Sequence, residues 1–302
     1  MSAGPRVLIV GCTGQIGTEL QRAFAGHALV AAADRRMLDL SNEQQIREVV
    51  RRVEPEAIIN AAAYTAVDRA ESEEELAAAI NARAPGILAE EARRAGALFV
   101  HYSTDYVFDG SSRRPWTEND IPHPLGVYGA TKLAGEESIR EVGGRYLIFR
   151  TSWIYGPHGK NFLLTMLRPG RERESVSVVD DQFGAPTTSS EVARATYAII
   201  DGVQSGRFGR AEDWAGTYHM TCSGWTTWYG FAQAIFERAA PLLGGRRPAV
   251  APISSSEYPT PAKRPRYSVL SNERLRERFG IQLAGWEEAL GEAMAGMSRD
   301  SG

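Results

Sequence analysis

Tyr128 and Lys132 are the residues whose types and spacing point most directly to chemistry. At i and i+4 in a helical stretch, they share one face. A phenol titrates near ~10 in water, so proton exchange by a tyrosine at neutral pH needs a nearby cation to favour phenolate. Lys132 can supply that cation, leaving Tyr128 as a general acid. A bare Tyr-x-x-x-Lys is common on helix surfaces, where the pair is simply solvated. Here it follows His101-Tyr102-Ser103-Thr104-Asp105-Tyr106, the end of an apolar run. The Thr104 hydroxyl can bond the same oxygen that Tyr128 protonates and stabilise charge developing on it.

A second pattern lies at the start of the chain. Val7-Leu8-Ile9-Val10 leads into Gly11-Cys12-Thr13-Gly14-Gln15-Ile16-Gly17 and a helical stretch from Thr18 to Ala25. Gly11 permits a tight turn, Gly14 lets backbone approach a pyrophosphate, and Gly17 lets the helix pack on the strand. Free amides at the helix start bind the anion. An ordinary strand-turn-helix connection is the bland alternative, and the position at the first βα junction favours dinucleotide binding over it. No Gly-Lys-Ser/Thr ending follows, which argues against a nucleotide triphosphatase. Asp34 falls about twenty residues downstream, where a carboxylate can accept bonds from the adenosine ribose hydroxyls and so favours NADH. Arg35 and Arg36 follow directly, and a guanidinium pair can hold a 2′-phosphate instead. The choice between NADH and NADPH stays open.

These groups need a scaffold, and the first half of the chain describes one. Apolar runs at Arg6–Val10, Ala28–Asp34, Ala57–Ala62, Leu98–Tyr102 and Tyr146–Arg150 alternate with helical patterns at Asn42–Val53, Glu71–Gly96 and Tyr128–Val142. That alternation predicts an α/β, Rossmann-type doubly wound parallel sheet over residues 1–155. From Gly156 the elements shorten, and Pro248–Pro265 holds five of the 15 prolines. Residues 156–302 are therefore expected to form mainly a smaller C-terminal substrate-binding lobe, with segments such as 175–202, including a helix from Ser189, packing back on the first domain.

Composition excludes several classes. A formal charge of −3 gives no footprint for nucleic acid, and no stretch of the 302 residues reaches membrane-spanning length. Two unpaired cysteines, Cys12 and Cys222, suit a reducing compartment, and the absence of a signal-like start predicts a cytoplasmic enzyme.

Longer stretches carry a family resemblance. They are Asn60-Ala61-Ala62-Ala63-Tyr64-Thr65-Ala66-Val67-Asp68, Ser103-Thr104-Asp105-Tyr106-Val107-Phe108-Asp109-Gly110, Arg150-Thr151-Ser152-Trp153-Ile154-Tyr155-Gly156 and Asp181-Gln182-Phe183-Gly184-Ala185-Pro186-Thr187. Ala262-Lys263-Arg264-Pro265, Ser268 and Trp286 extend them over nearly the whole chain. On these residues the chain resembles the dTDP-4-dehydrorhamnose reductases, within the extended short-chain dehydrogenase/reductase superfamily. The resemblance implies hydride delivery from NADPH or NADH to C4 of a dTDP-linked 4-keto sugar, with Tyr128 protonating the alkoxide and Lys132 also holding the nicotinamide ribose. It places Gly14, Gln15 and Ile16 at the pyrophosphate, Asp39 and Leu40 on the adenine side, and Ala63, Tyr64 and Thr65 near the cofactor. Thr104, Asp105 and Trp153 would face the sugar, although a core aromatic is the plain alternative for Trp153. Relatives usually carry Asn two residues before the tyrosine. Here that position is Gly126, which predicts a loop with one side-chain hydrogen bond fewer.

Some relatives bind Mg2+ through glutamates at a homodimer contact, and Glu19 and Glu191 match such positions; a lone surface carboxylate is usually just solvated. The five histidines show no ligand spacing, so no protein-held metal is expected, and His101 reads as a buried, hydrogen-bonded strand residue. Trp225, Trp228, Tyr229 and Phe231 read as the packing face of a helix. Arg264 and Arg266 suit either a nucleotide phosphate or a solvated loop. Two rival functions are an epimerase or dehydratase of the same fold, and a noncatalytic subunit related to that of methionine adenosyltransferase. Asp105-Tyr106 replaces the Asp-Glu pair that dehydratases place after the threonine, and retention of Thr104, Tyr128 and Lys132 disfavours a noncatalytic role.

Overall fold

A computed structural model describes residues 4–170 and 172–299 of the chain. Strands β1 (Arg6–Val10), β2 (Leu29–Ala33), β3 (Ala57–Asn60), β4 (Leu98–Thr104) and β5 (Tyr146–Thr151) form where the apolar runs predict them. A sixth strand, Gly216–His219, adds beside β5, and the sheet runs Gly216–His219, β5, β4, β3, β1, β2 with every pairing parallel. Alternate side chains enter two cores. Val7 and Ile9 face α1 (Gln15–Phe24) and the helix Ser189–Gln204, where Leu20, Phe24, Val192 and Ile199 are buried. Leu8 faces α2 (Glu43–Val53) and its neighbours, with Ile46, Val49, Leu88 and Ile139. Burial on both faces gives the near-continuous apolar strands of a parallel sheet, each such side chain contributing about 1.5–3 kcal/mol.

The chain leaves β1 toward β2 and then crosses back to β3, so the winding direction reverses between β1 and β3. Ligands in such sheets bind outside the carboxyl ends of the strands at that switch point. A separate core holds Tyr155, Leu163, Phe231, Phe236 and Leu290. Within residues 175–202, Val176 and Val178 pack in that core, whereas the helix Ser189–Gln204 packs with α1 against the sheet. The chain returns to the sheet again with Gly216–His219, Leu275 and Phe279.

Several boundaries differ from the sequence expectation. The stretch Glu71–Gly96 is not one helix: a helix at Glu74–Ala78 loosens into a π-turn at Ala79–Arg83 and continues as Ala84–Ala95, closed by Gly96 at φ +67°. Pro85 has no N–H to give the Asn81 carbonyl four residues back, so the ladder must widen there. Strand β3 stops at Asn60, and β4 runs on to Thr104. Trp225 lies ahead of the helix Trp228–Ala239 and is 52% exposed; Phe231 is buried, and Trp228 and Tyr229 pack partly against the same core. Both cysteines are buried and unpaired. Among the described residues no helix is long and apolar enough to cross a membrane.

Candidate active site

A cleft of about 750 Å³ opens at the carboxyl ends of β1, β3 and β4. Gly11, Gly14, Gln15 and Ile16 line it, with Asp34, Arg35, Asp39 and Leu40. Ala63, Tyr64 and Thr65 line it too, as do Thr104, Asp105, Tyr128, Lys132 and Trp153. Gly17 is the exception among the expected cofactor residues, since it sits under the turn. A Cβ there would lie 2.2 Å from the Gly11 carbonyl oxygen, so Gly17 is what lets α1 approach the loop. Gly11 has φ +80°, and a Cβ on it would lie 2.7 Å from the Ala62 nitrogen. The turn thus packs on the end of β3 and leaves the first amides of α1, which has no acidic residue in its first turn, facing the cleft.

Asp34 uses Oδ1 to accept the backbone N–H groups of Arg36 and Met37, both at 3.0 Å. Asp39 accepts from the Ser41 N–H and hydroxyl, which hold its carboxyl below the usual range. Loop Ala63–Thr65 is pinned by Asn81 on the π-turn. The Asn81 Oδ1 accepts the Tyr64 N–H (2.8 Å), while its Nδ2 donates to the Tyr64 carbonyl (3.1 Å) and to the Thr131 hydroxyl (3.3 Å). One buried amide thereby ties this loop to the helix Val127–Val142, which carries Tyr128 and Lys132.

That helix begins at Gly126, which offers no side-chain cap. Glu71 supplies one from another segment: its Oε1 accepts the Val127 N–H at 2.9 Å, and a Cβ at residue 126 would lie 2.5 Å from that oxygen. The expected loss of a side-chain hydrogen bond is therefore answered by a carboxylate occupying the space that a larger residue would need. Gly129 lets the helix approach the Tyr106 carbonyl, where a Cβ would lie at 2.2 Å.

Lys132 is buried to 1% exposure; its Nζ donates to the Tyr102 carbonyl (2.6 Å) and lies 3.0 Å from the His101 Nε2. Burial pushes its pKa down to about 7, against the partial pull of the Glu136 charge. Tyr128 packs edge-to-face on Tyr106, and desolvation pushes its phenol up to about 12, with the Thr104 hydroxyl acting in the opposite direction. The phenol is thus held protonated, as a general acid must be. Asp105 is 2% exposed, and burial pushes its carboxyl up to about 7; Oδ1 accepts from the Thr104 hydroxyl at 3.1 Å, whereas Oδ2 has no partner. Trp153 has φ +47° and stacks on Trp228 with ring centroids 3.5 Å apart, and only Gly184 fits beneath it, since a Cβ there would lie 2.4 Å from the indole. Strain of this kind clusters at ligand sites.

Other expectations resolve differently. His101 is buried and hydrogen-bonded, as its strand position predicts, but its partners are Lys132 and Asn60, which spacing alone did not reveal. Trp228, Asn81 and Glu71 were missed for the same reason: their contacts span long sequence separations. Arg264 bonds Asp68 at 3.0 Å and does not line the cleft; neither does Arg266. Glu19 pairs with Arg22, and Glu191 with Arg194 and the Ala284 N–H. Among the described residues no group of three His, Cys, Asp or Glu side chains collects to hold a metal.

Comparison with known proteins converges on one group. Residues 5–299 match the family described as RmlD substrate binding domain. The chain is 46% identical over 293 residues to the dTDP-4-dehydrorhamnose reductase of Burkholderia thailandensis, covering 95% of this chain and 97% of the relative. It is 45% identical over 290 residues to the Escherichia coli K12 enzyme of the same name, covering 93% and 94%. A crystal structure of dTDP-4-dehydrorhamnose reductase from Bacillus anthracis in complex with NADP superposes with a TM-score of 0.88 at 37% identity, covering 97% of this chain and 99% of that one.

Proposed function

We propose, from the premise that this chain belongs to the dTDP-4-dehydrorhamnose reductase family, that it reduces dTDP-4-dehydro-β-L-rhamnose to dTDP-β-L-rhamnose with NADPH as reductant. The observation that carries the reading is the single cleft shared by the glycine turn, Thr104, Tyr128 and Lys132. A reduced nicotinamide bound there supplies the hydride. Gly11, Gly14, Gln15 and Ile16 hold the pyrophosphate on the first turn of α1, and Asp39 and Leu40 border the adenine. The exposed Arg35 lines the cleft beside Asp34, and its guanidinium suits a 2′-phosphate. Ala63, Tyr64 and Thr65 flank the nicotinamide side.

Tyr128 gives its phenolic proton to the alkoxide oxygen formed at C4. The Thr104 hydroxyl fixes that oxygen and shares its developing charge. Lys132, once protonated, stabilises the phenolate left behind and binds the nicotinamide ribose. Asp105, which lines the cleft, faces the sugar, and the Trp153 indole, backed by Trp228, forms a platform for the deoxysugar ring.

Purified protein mixed with dTDP-4-dehydrorhamnose should oxidise NADPH stoichiometrically as dTDP-rhamnose forms. Product appearing without net NADPH consumption would instead mean an epimerase. Tyr128→Phe should lower turnover by about a hundredfold or more while NADPH binding persists; a variant with near-normal turnover rules out the acid assigned here. Arg35→Ala should raise the KM for NADPH and leave that for NADH nearly unchanged.

A further inference from the structure

Beneath the cleft, Lys132 lies in a buried polar chain with His101 of β4 and Asn60 at the end of β3. The amide of Asn60 is oriented from its far side, because its Oδ1 accepts the backbone N–H of Ala62 at 3.2 Å. Its NH2 group therefore faces the His101 Nδ1, 3.1 Å away, and Nδ1 must accept. A neutral imidazole that accepts at Nδ1 carries its proton on Nε2. That N–H lies against Lys132 Nζ at 3.0 Å. An ammonium has three donors and no lone pair, so it would set N–H against N–H; a neutral amine can accept. With the amine, every group is satisfied: Lys132 donates to the Tyr102 carbonyl and accepts from His101, and His101 accepts from Asn60.

We propose that Asn60 and His101 form a relay that favours the neutral amine of Lys132 in the cofactor-free protein, making His101 a positioning residue that sets when the lysine gains its proton. The proposal rests on the role given to Lys132 above. The other charged or titratable groups around the lysine are few. Tyr128 and Glu136 lie one helical turn to either side on its own helix, Tyr102 and Asp105 follow His101 on β4 and its end, and Arg150 comes from β5. Glu136 is already paired with Arg150 and Arg140 and makes no hydrogen bond to Lys132. Burial acts in the same direction as the relay, lowering both Lys132 and His101. Phosphate and ribose groups entering the cleft would reverse the balance, so the lysine becomes a cation when the cofactor is in place.

Nitrogen-15 NMR of histidine-labelled, cofactor-free protein tests this without an activity assay, with the His101 signals assigned by their loss in His101→Gln. The expected result is a neutral Nε2–H tautomer for His101 between about pH 7 and 9. An Nδ1–H tautomer or an imidazolium in that range overturns the relay. Asn60→Asp should turn the ring over to the Nδ1–H tautomer, let Nε2 accept from an ammonium, and raise the lysine's proton affinity tenfold or more. The alkaline fall of kcat/KM should then move up by about one pH unit or more. A folded Asn60→Asp protein with an unchanged tautomer also overturns it. If that variant does not fold, the wild-type tautomer decides alone. An Nε2–H tautomer in a protein that fails to oxidise NADPH leaves the relay standing and removes the function proposed above.

Discussion

Lys132 and Glu136 sit one turn apart on the same helix, each 1% exposed or less, in opposite kinds of surroundings. Glu136 is matched by charge. Arg150 donates to both of its oxygens, Nε to Oε1 at 2.9 Å and Nη2 to Oε2 at 2.7 Å, and Arg140 adds a third contact. Burial raises the pKa of Glu136, yet the arginine hydrogen bonds and charges prevail and hold the carboxyl below its ordinary value. Lys132 has only neutral hydrogen-bond partners, a carbonyl and an imidazole, so burial prevails and its pKa falls. The fold thus contains one buried charge fixed for structure and another left adjustable for chemistry, and the presence of a bonded counter-ion separates the two.

Removing the counter-ion should show the largest effect. Glu136→Ala leaves the Arg150 guanidinium, 2% exposed, without its carboxylate. Breaking a buried pair from one side costs about 3–5 kcal/mol, and urea unfolding of the variant should show a loss of that order. A loss below about 1 kcal/mol would mean that Arg150 finds water or another partner, and the contrast with Lys132 would collapse.

Lys132→Met should act in the other direction. The folded pKa of about 7 lies below the ordinary 10.5, so the unfolded chain binds more protons between those values. Stability therefore rises with pH across that window, and the penalty for burying the lysine is full at pH 7 and below. Lys132→Met should be more stable than the wild type by roughly 2–4 kcal/mol at neutral pH, the gain fading toward pH 10, while reductase activity is lost. A variant less stable than the wild type at neutral pH would place Lys132 with Glu136 among the structural charges.

The sequence made part of this contrast readable. Gly11 and Gly17 announce the turn because only glycine tolerates the contacts there, and β1 through β5 show as apolar runs because the sheet is covered on both faces. Tyr128 and Lys132 show because four residues on a helix is a local relation. What stayed hidden is non-local. His101 and Lys132 are separated by 31 positions and Asn60 and His101 by 41, so a polar residue inside an apolar strand carries no sign of its partner. Gly216–His219 is too short and mixed to read as a strand, and takes its shape from pairing with β5. The π-turn at Ala79–Arg83 was hidden because the helical pattern of Glu71–Gly96 runs on through Pro85 without a break.

Glu91 supplies a milder version of the Glu136 arrangement and hence the smallest expected effect. Its side chain is 1% exposed, but Arg47, Arg51 and Arg94, which all bond it, reach it from the solvent with side chains 27%, 51% and 56% exposed. Their hydrogen bonds outweigh desolvation and hold its carboxyl near about 2 instead of 4.5. A carboxylate with a depressed folded pKa contributes stability that is complete above its unfolded pKa and is lost as the pH falls through its folded one, here between about 4.5 and about 2. Solvent screening of the three arginines limits that contribution, so Glu91→Gln should cost about 1 kcal/mol at neutral pH. The difference between variant and wild type should shrink steadily on acidification and with added salt. If it persists unchanged through the acid range, Glu91 acts by shape rather than charge, and the counter-ion rule drawn from Glu136 would not extend to the outer helices.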